Sequence, residues 1–140
     1  MANTFLCEIV SAEEHLFSEN LTMLVCMGEM GELGITPGHT PLLTSLKPGV
    51  VRIFRENGSE DVFYVSGGIL EVQPKHVTIL ADTAARAHDL DESAALEAKQ
   101  EAERLLQNQS SEIDYGTAAA RLAEVSAQLQ AIRKLKNRAQ

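Results

Sequence analysis

Residues 77–102 read VTILADTAARAHDLDESAALEAKQEA, and within this stretch the chain changes its chemistry. Before residue 81 the 140-residue chain holds eight of its nine valines, all four prolines and eight of its nine glycines. It holds two alanines before residue 81 and fifteen from there onward. β-Branched residues punctuated by Gly and Pro favour strands and turns, whereas Ala-rich, Pro-free sequence favours helix. The break therefore predicts a β domain over residues 1–86 and an α domain over residues 87–140.

The β part contains short apolar runs at close intervals. Six runs are candidate strands: Thr4–Val10, Leu21–Met27, Val50–Arg55, Val62–Ser66, Ile69–Val72 and Val77–Ala81. Asn57-Gly58 lies between the third and fourth runs, and both residues tolerate the positive φ angles of a tight hairpin turn. Many short strands with turn signals, and no helical pattern between them, predict a small antiparallel sandwich or barrel.

The α part shows two amphipathic patterns separated by the polar stretch 108–112. Asp89 followed by Glu92 is a variant of the capping box, Asp91 adds a first-turn charge, and Asp114 is placed to cap the second helix. Apolar residues recur at helical spacing in both patterns. They are Ala94, Ala98, Ala102 and Leu105 in the first and Ala118, Leu122, Val125, Leu129 and Ile132 in the second. A short link between two such helices predicts an antiparallel hairpin, so the fold class is α+β.

The net charge and the hydropathy of the chain limit the classes of partner that it can have. The chain has 12 Lys and Arg against 20 Asp and Glu, a net charge of -8, which argues against a nucleic-acid partner. No apolar run approaches the roughly 20 residues of a membrane helix, and the first residues lack a targeting pattern, so membrane association is expected only through a partner protein. Cys7 and Cys26 each lie in an apolar run and are expected to be buried, reduced thiols.

The densest Gly/Pro segment, GELGITPGHTP at residues 31–41, offers little support for chemistry. A phosphate-binding loop needs its glycines to open a helix, but prolines and Leu42-Leu43 follow here, so the segment predicts a shaped turn. Glu32 and His39 are an acid–base pair in principle. No nucleophile setting accompanies them and the four histidines are scattered, so neither catalytic residues nor a metal site is expected.

Two long stretches, GELGITPGHTPLLTSLKPG at residues 31–49 and VSGGILEVQPKHVTILADTAARAHDLDE at residues 65–92, resemble the epsilon-subunit family of bacterial F-type ATP synthases. The resemblance covers the whole chain. It implies a two-sheet β-sandwich of about ten strands followed by a two-helix hairpin. It also implies a non-catalytic rotor subunit that forms the central stalk with the gamma subunit, docks on the ring of c subunits, and sits peripherally on the cytoplasmic face of the bacterial inner membrane.

The resemblance also implies site residues. The family's loop that docks on the c ring and gamma corresponds to Gly31, Glu32, Leu33, Gly34, Ile35, Thr36, Pro37, Gly38 and His39. Glu32 is implied to approach the ring and His39 to lie near gamma. The basic residues Arg133, Lys134, Lys136 and Arg138 complement the dipole at a helix C-terminus. They also match a tail that meets an acidic segment of the beta subunit when the hairpin extends to the alpha and beta subunits and inhibits ATP hydrolysis.

One departure from the family concerns nucleotide binding. Many members bind ATP at a motif Leu/Ile-Asp-x-x-Arg-Ala, but the segment here is Leu90-Asp91-Glu92-Ser93-Ala94-Ala95. Ala94 replaces the arginine, and with it the bidentate contact to phosphate oxygens is lost. Asp91 remains as a weak nucleotide-binding candidate, ATP binding is expected to be weak or absent, and no cofactor is expected. Two alternatives stay open: a free nucleotide-sensing module with a helical lid, and a small hydrolase using Glu32 and His39.

Overall fold

The computed structural model describes residues 3–107 and 112–138, with the backbone alone for residues 112–115 and 138. Within these residues, ten strands precede one 3-10 turn and two helices. The strands are β1 Phe5–Ser11, β2 His15–Leu21, β3 Met23–Gly28, β4 Gly31–Ile35, β5 Leu42–Leu46, β6 Gly49–Phe54, β7 Glu60–Val65, β8 Gly68–Val72, β9 His76–Ala81 and β10 Ala84–Arg86. The 3-10 turn is Ala87–Asp89, and the helices are α1 Glu92–Gln107 and α2 Glu112–Arg138.

The strands form a two-layered sandwich, which confirms the predicted fold class. One layer runs β4-β3-β6-β7-β10 and the other β5-β8-β9-β1-β2, and they join where Gly28 pairs with Leu46. Every pair is antiparallel except β1 with β9, which run parallel from Leu6 opposite His76 to Ser11 opposite Ala81. The prediction of an antiparallel sandwich therefore holds with one exception.

The core lies between the two layers, where alternate side chains of each strand point inward. Phe5, Cys7 and Ile9 of β1 are at most 1% exposed. Phe17 and Phe63 meet edge to face, with ring centroids 5.3 Å apart. Both cysteines are buried and free, as expected, and burial raises the pKa of each thiol to about 12. Each large apolar side chain buried here contributes roughly 1.5–3 kcal/mol to stability.

Four strands were not predicted from the sequence: β2, β4, β5 and β10. Glycine made β4 resemble a turn, polar residues interrupt β2, and the Ala-rich sequence of β10 favours helix by propensity. The run Leu21–Met27 was predicted as one strand, but Leu21 ends β2 and Met23 begins β3. The hairpin at Asn57-Gly58 is confirmed: it joins β6 to β7, and Gly58 has φ +87°.

The helices form the predicted hairpin, and α2 lies on the outer face of β6 and β7. Ala127 and Ala131 of α2 pack there against Val50, Val62 and Tyr64. Both faces of these strands are therefore covered, one by the opposite layer and one by α2. A second stripe of α2, Val125 and Leu129, packs against Ala95 and Ala98 of α1. Because α2 has two buried stripes, it is the central layer between α1 and the sandwich.

Three helix predictions need correction. The buried face of α1 is formed by Ala95, Ala98 and Ala102, whereas Ala94 is exposed and Leu105 is 45% exposed. An Ala-rich helix has no single apolar stripe, so packing on α2 sets its rotation. The N-cap of α1 is Asp91 rather than Asp89, and Asp114 lies within α2, which begins at Glu112.

Candidate functional site

The segment Gly31–His39 was predicted to be a shaped turn within a docking loop, and this is wrong for its first half. Residues Gly31–Ile35 form β4, which pairs with β3 from Gly28 opposite Gly31 to Leu24 opposite Ile35. Gly31 has φ +127°, a conformation that other residues rarely adopt, and it allows the tight β3–β4 connection. Glu32 is therefore held on a strand, with an exposed side chain opposite Met27.

The second half of this segment is a turn tied to the other layer. The Gly38 backbone N–H donates to the Pro74 carbonyl oxygen at 2.8 Å, and Gly38 has φ +81°. The His39 backbone N–H donates to the Thr36 carbonyl oxygen at 3.2 Å. Because Pro74 lies between β8 and β9, the turn that carries His39 is anchored to a different layer from Glu32.

The structure does not bring Glu32 and His39 together. His39 Nδ1 lies 2.7 Å from the carbonyl oxygen of its neighbour Thr40, and Glu32 lines a cleft beside α2. A general acid and a general base act together only when both reach the same substrate, and the cleft that Glu32 lines does not include His39. Among the side chains described, those of residues 3–107 and 116–137, no three of His, Cys, Asp or Glu are arranged to hold a metal ion.

The cleft beside Glu32 lies between the sandwich and the C-terminal turns of α2. Its volume is about 330 Å³. Its lining residues are Val25, Met27, Glu32, Val50, Arg52, Gln130, Arg133, Lys134 and Asn137. An adjoining cavity of about 270 Å³ is lined by Arg52, Glu60, Lys134 and Asn137. The sandwich supplies an apolar floor, and α2 supplies two cations.

The four cations predicted as an inhibitory tail are placed differently from one another. Arg133 and Lys134 line the cleft, and Lys136 forms an ion pair with Glu92 of α1. The side chain of Arg138 lies outside the described residues. Three of the four are therefore directed toward the chain itself, at its own carboxylates or at the sandwich.

Asp91, the nucleotide-binding candidate, has a structural role. Its Oδ1 accepts a hydrogen bond from the Ala94 backbone N–H at 3.2 Å, and its carbonyl oxygen accepts one from the Ala95 N–H at 3.0 Å. This is the geometry of an N-cap, which satisfies donors that the first helical turn leaves unpaired. One carboxylate oxygen of Asp91 is thus already used in capping α1.

Tyr64, which was not among the predicted functional residues, is a contact between the sandwich and the hairpin. Its side chain is 3% exposed, and burial beneath α2 raises the pKa of its hydroxyl, with Glu124 adding to the effect. A hydrogen bond with Gln128 acts in the opposite direction. The available signal was that Val62–Val65 is apolar on both strand faces, which indicates a strand covered on both sides.

A second missed feature is an exposed apolar patch on the layer away from α2. Ile69 of β8 pairs with Leu80 of β9, and these side chains are 45% and 49% exposed. Leu43 of the adjacent β5 is 72% exposed. Side chains on one face of neighbouring strands lie close together, so the three form one patch. Exposed apolar patches of this kind mark protein–protein contacts.

Comparison with known proteins places both halves of the chain in one family. Residues 4–87 match the family model described as ATP synthase, Delta/Epsilon chain, beta-sandwich domain. Residues 88–133 match ATP synthase, Delta/Epsilon chain, long alpha-helix domain. The ATP synthase epsilon chain of Psychrobacter arcticus is 60% identical over 136 residues, which are 97% of this chain and 99% of that protein. That of Acinetobacter baumannii is 58% identical over 137 residues, 98% of this chain and 99% of that protein.

Two solved structures share the fold at low identity. A chain of the Euglena gracilis mitochondrial ATP synthase (OSCP/F1/c-ring in rotational state 1) has a TM-score of 0.77 and 20% identity, covering 100% of this chain and 84% of that one. A chain of the Tetrahymena thermophila mitochondrial ATP synthase (central stalk and c ring) has a TM-score of 0.62 and 18% identity, covering 91% and 96%. These likenesses confirm the sandwich and helical architecture.

Proposed function

This chain belongs to the ATP synthase delta/epsilon chain family, as a non-catalytic epsilon subunit of the central stalk, and we propose that its sandwich docks on the rotor while its hairpin restrains ATP hydrolysis. The observation that carries the subunit role is the match of both domains to the family, together with 60% identity to an epsilon chain over 97% of the sequence. Its partners are the gamma subunit, the c ring and the alpha/beta hexamer.

The sandwich offers two different surfaces for docking. The apolar patch of Leu43, Ile69 and Leu80 fits a partner with an apolar face, and we assign it to gamma. Its position near the His39 turn supports this, because the chain passes from His39 into β5 within a few residues. Glu32 fits a polar partner, and we assign it to the loops of the c ring. A carboxylate held on a paired strand loses little conformational freedom on docking.

The hairpin is packed in a way that permits release. The fully buried residues that α2 adds to its contact with the sandwich are small, Ala127 and Ala131, with Leu135 partly buried beside them. In the contact between the helices, α1 contributes Ala95 and Ala98. Each Ala in place of Leu forgoes roughly 2 kcal/mol of apolar burial. Two arrangements of the same helices can therefore lie within a few kcal/mol of each other, which is what a switching element needs.

Nucleotide binding by this chain is proposed to be weak or absent. Ala94 stands where the family motif has arginine, and Asp91 is engaged in capping α1. Equilibrium dialysis of the isolated chain with ATP tests this directly. Tight binding would favour the alternative reading, a free nucleotide-sensing module with a helical lid.

The subunit is peripheral, and we propose that it lies on the cytoplasmic face of the bacterial inner membrane. No helix within the described residues is long and apolar enough to cross a membrane. Co-purification tests the assembly: a tagged chain is expected to retain gamma, the c ring and the alpha and beta subunits from gently solubilised membranes. Failure to recover gamma would contradict the proposed docking.

A further inference from the structure

The register of the first layer places Glu32 on the face that α2 covers. Glu32 pairs with Met27, and Val25, two residues before Met27, pairs with Arg52. Directly paired residues, and residues two apart on one strand, lie on the same face of a sheet. Val50, two residues before Arg52, packs against α2. The outer face therefore continues from the α2 contact at Val50, through Arg52 and Met27, to Glu32.

The facing stripe of α2 carries the cations. Gln130, Arg133, Lys134 and Asn137 line the cleft and are spaced at i, i+3, i+4 and i+7, which is one face of a helix. They continue the stripe that begins with Ala127 and Ala131, the residues that pack on the sandwich. Arg133 and Lys134 are thus held over the sandwich by the helix to which they belong.

The side chains that line this cleft include more cations than carboxylates. Arg52 already has a carboxylate partner, because its Nε donates to Glu60 Oε1 at 2.8 Å, and its guanidinium lies 5.1 Å from the centre of the Phe54 ring. Among the described residues that line the 330 Å³ cleft, Glu32 is the one carboxylate, whereas Arg52, Arg133 and Lys134 are cations. Within the part of the chain that the structure describes, Glu32 forms no direct ion pair with Arg133 or Lys134, although all three side chains line the same cleft.

We infer that Glu32 retains the basic end of α2 on the sandwich, so that the carboxylate proposed for ring docking also controls release of the hairpin. The link to docking rests on the proposed function, whereas the retention is a property of the isolated chain. Because coupling between two binding events is reciprocal, a partner that engages Glu32 weakens the hold on α2, and release of α2 frees Glu32 for the partner. Docking and release are then linked within one subunit.

Release is measured by the reactivity of a cysteine placed beneath α2. Ala131 is 0% exposed, so an A131C thiol reacts with a water-soluble disulfide reagent only when α2 leaves the sandwich. Cys7 and Cys26 are also 0% exposed and belong to the inter-layer core, so they report global unfolding in the same sample. A127C, at a position that is 4% exposed, serves in the same way if A131C disturbs folding.

Each cysteine background is compared with and without E32Q and E32K, using E71Q and E71K as matched controls. Glu71 is an exposed carboxylate on β8, in the layer away from α2. We expect E32Q to increase the labelling rate by up to about fivefold at low salt, the range of an exposed charge pair, and E32K to increase it further. The increase should shrink toward onefold in 1 M salt, while the controls and the Cys7 and Cys26 rates stay unchanged.

A double-mutant cycle with R133Q/K134Q identifies the partners. If Glu32 acts through these cations, adding E32Q to R133Q/K134Q produces little further increase. Equal cysteine-labelling rates for E32Q and E71Q would overturn the inference. So would a combined E32Q and R133Q/K134Q chain whose labelling rate rises by the full product of the two separate increases. None of these outcomes depends on ATP hydrolysis or assembly, so the proposed function is tested separately.

Discussion

The ammonium group of Lys136, near the end of α2, is paired with the carboxylate of Glu92, in the first turn of α1. The pair joins the two ends of the hairpin and shows that the helices run antiparallel. Lys136 is also one of the four tail cations to which the family resemblance assigns inhibition, and the pair with Glu92 engages it. While α2 is packed on the sandwich, Lys136 is paired with Glu92, so an acidic partner must compete with Glu92 for it.

Neutralising Glu92 is expected to make the tail more available. E92Q removes the partner of Lys136 and should strengthen inhibition, so the assembled enzyme should hydrolyse ATP more slowly than with the unaltered chain. Because both side chains are largely exposed, the stability loss should stay within about 1 kcal/mol. The charge swap E92K/K136E should restore the pair within the chain, and E97Q, at an exposed site on α1, is the control. Equal ATPase rates with E92Q and E97Q would contradict the expectation.

Asp91 is expected to act as a helix cap and not as a nucleotide ligand. D91A should lower the free energy of unfolding by about 1 kcal/mol because the Ala94 N–H loses its acceptor. D91S keeps an acceptor oxygen at the N-cap and should restore most of that loss. Urea unfolding measures both variants, and ATP dialysis is run beside it. A D91A chain of unchanged stability that binds ATP less well than the unaltered chain would reverse the assignment.

The Glu8 carboxylate predicts a pH dependence of stability. Its oxygens lie 2.9 Å from His15 Nε2 and from His76 Nε2, and these hydrogen bonds hold the pKa of Glu8 below its usual range. A carboxyl whose pKa is lower in the folded than in the unfolded state stabilises the fold above its unfolded pKa, about 4.3. That contribution is lost as the pH falls through the lower folded value.

Urea midpoints between pH 3 and pH 7 test this linkage. At pH 6 the urea midpoint of the unaltered chain should be higher than that of E8Q. The difference between the two midpoints should narrow as the pH falls below about 4. E71Q, which removes an exposed carboxylate on β8, should show a much smaller gap at every pH. A gap for E8Q that is constant across this range would mean that Glu8 ionisation is not linked to folding.

In the Gly31–His39 segment, one substitution should impair docking without affecting folding, and another should impair folding. E32A removes an exposed carboxylate, so it should change the free energy of unfolding of the sandwich by no more than about 0.5 kcal/mol. It should nevertheless impair assembly and proton-coupled ATP synthesis. G38V should instead destabilise the fold, because Gly38 has φ +81° and valine is strained there. An E32A chain that unfolds, or that assembles and couples normally, would contradict the docking assignment.

The sequence predicts the parts of this fold that rest on local patterns. The change in composition near residue 81 separates strands from helices, and Asn57-Gly58 marks a turn that the structure confirms. The predicted face of α2 is also correct in the main: Ala118, Val125, Leu129 and Ile132 are buried. Hydrophobic periodicity and the residue types of turns are local properties of the sequence, so they can be recognised without knowing which segments pack together.

Other features depend on partners distant in the sequence. Gly31 and Gly34 resemble turn residues until β3 is known to pair with them. Ala94, Ala95 and Ala98 are equally apolar, and only contact with α2 decides which of them is buried. The cleft brings Glu32 and Arg133 to one site although they are 101 positions apart in the sequence, and no spacing rule relates such positions. These features are fixed by tertiary packing, which overrides local propensity.

The proposed restraint of ATP hydrolysis acts through the basic end of the hairpin. The test reverses Arg133, Lys134, Lys136 and Arg138 to glutamate in the full chain and measures the ATPase rate of the reconstituted enzyme. Several exposed charges acting together carry the contact, since each contributes no more than about 1 kcal/mol. The matched control reverses cations elsewhere on the hairpin, in K99E/R104E/R121E.

We predict that reversal at the basic end raises the ATPase rate by about fivefold, the equivalent of roughly 1 kcal/mol of lost inhibitory contact. The difference should diminish at high salt, because screening weakens the contact in the unaltered enzyme. The control reversal should leave the rate near that of the unaltered enzyme. Equal rates for the unaltered, tail-reversed and control enzymes at low salt would contradict an inhibitory role of the hairpin and leave the chain a role in rotor coupling alone.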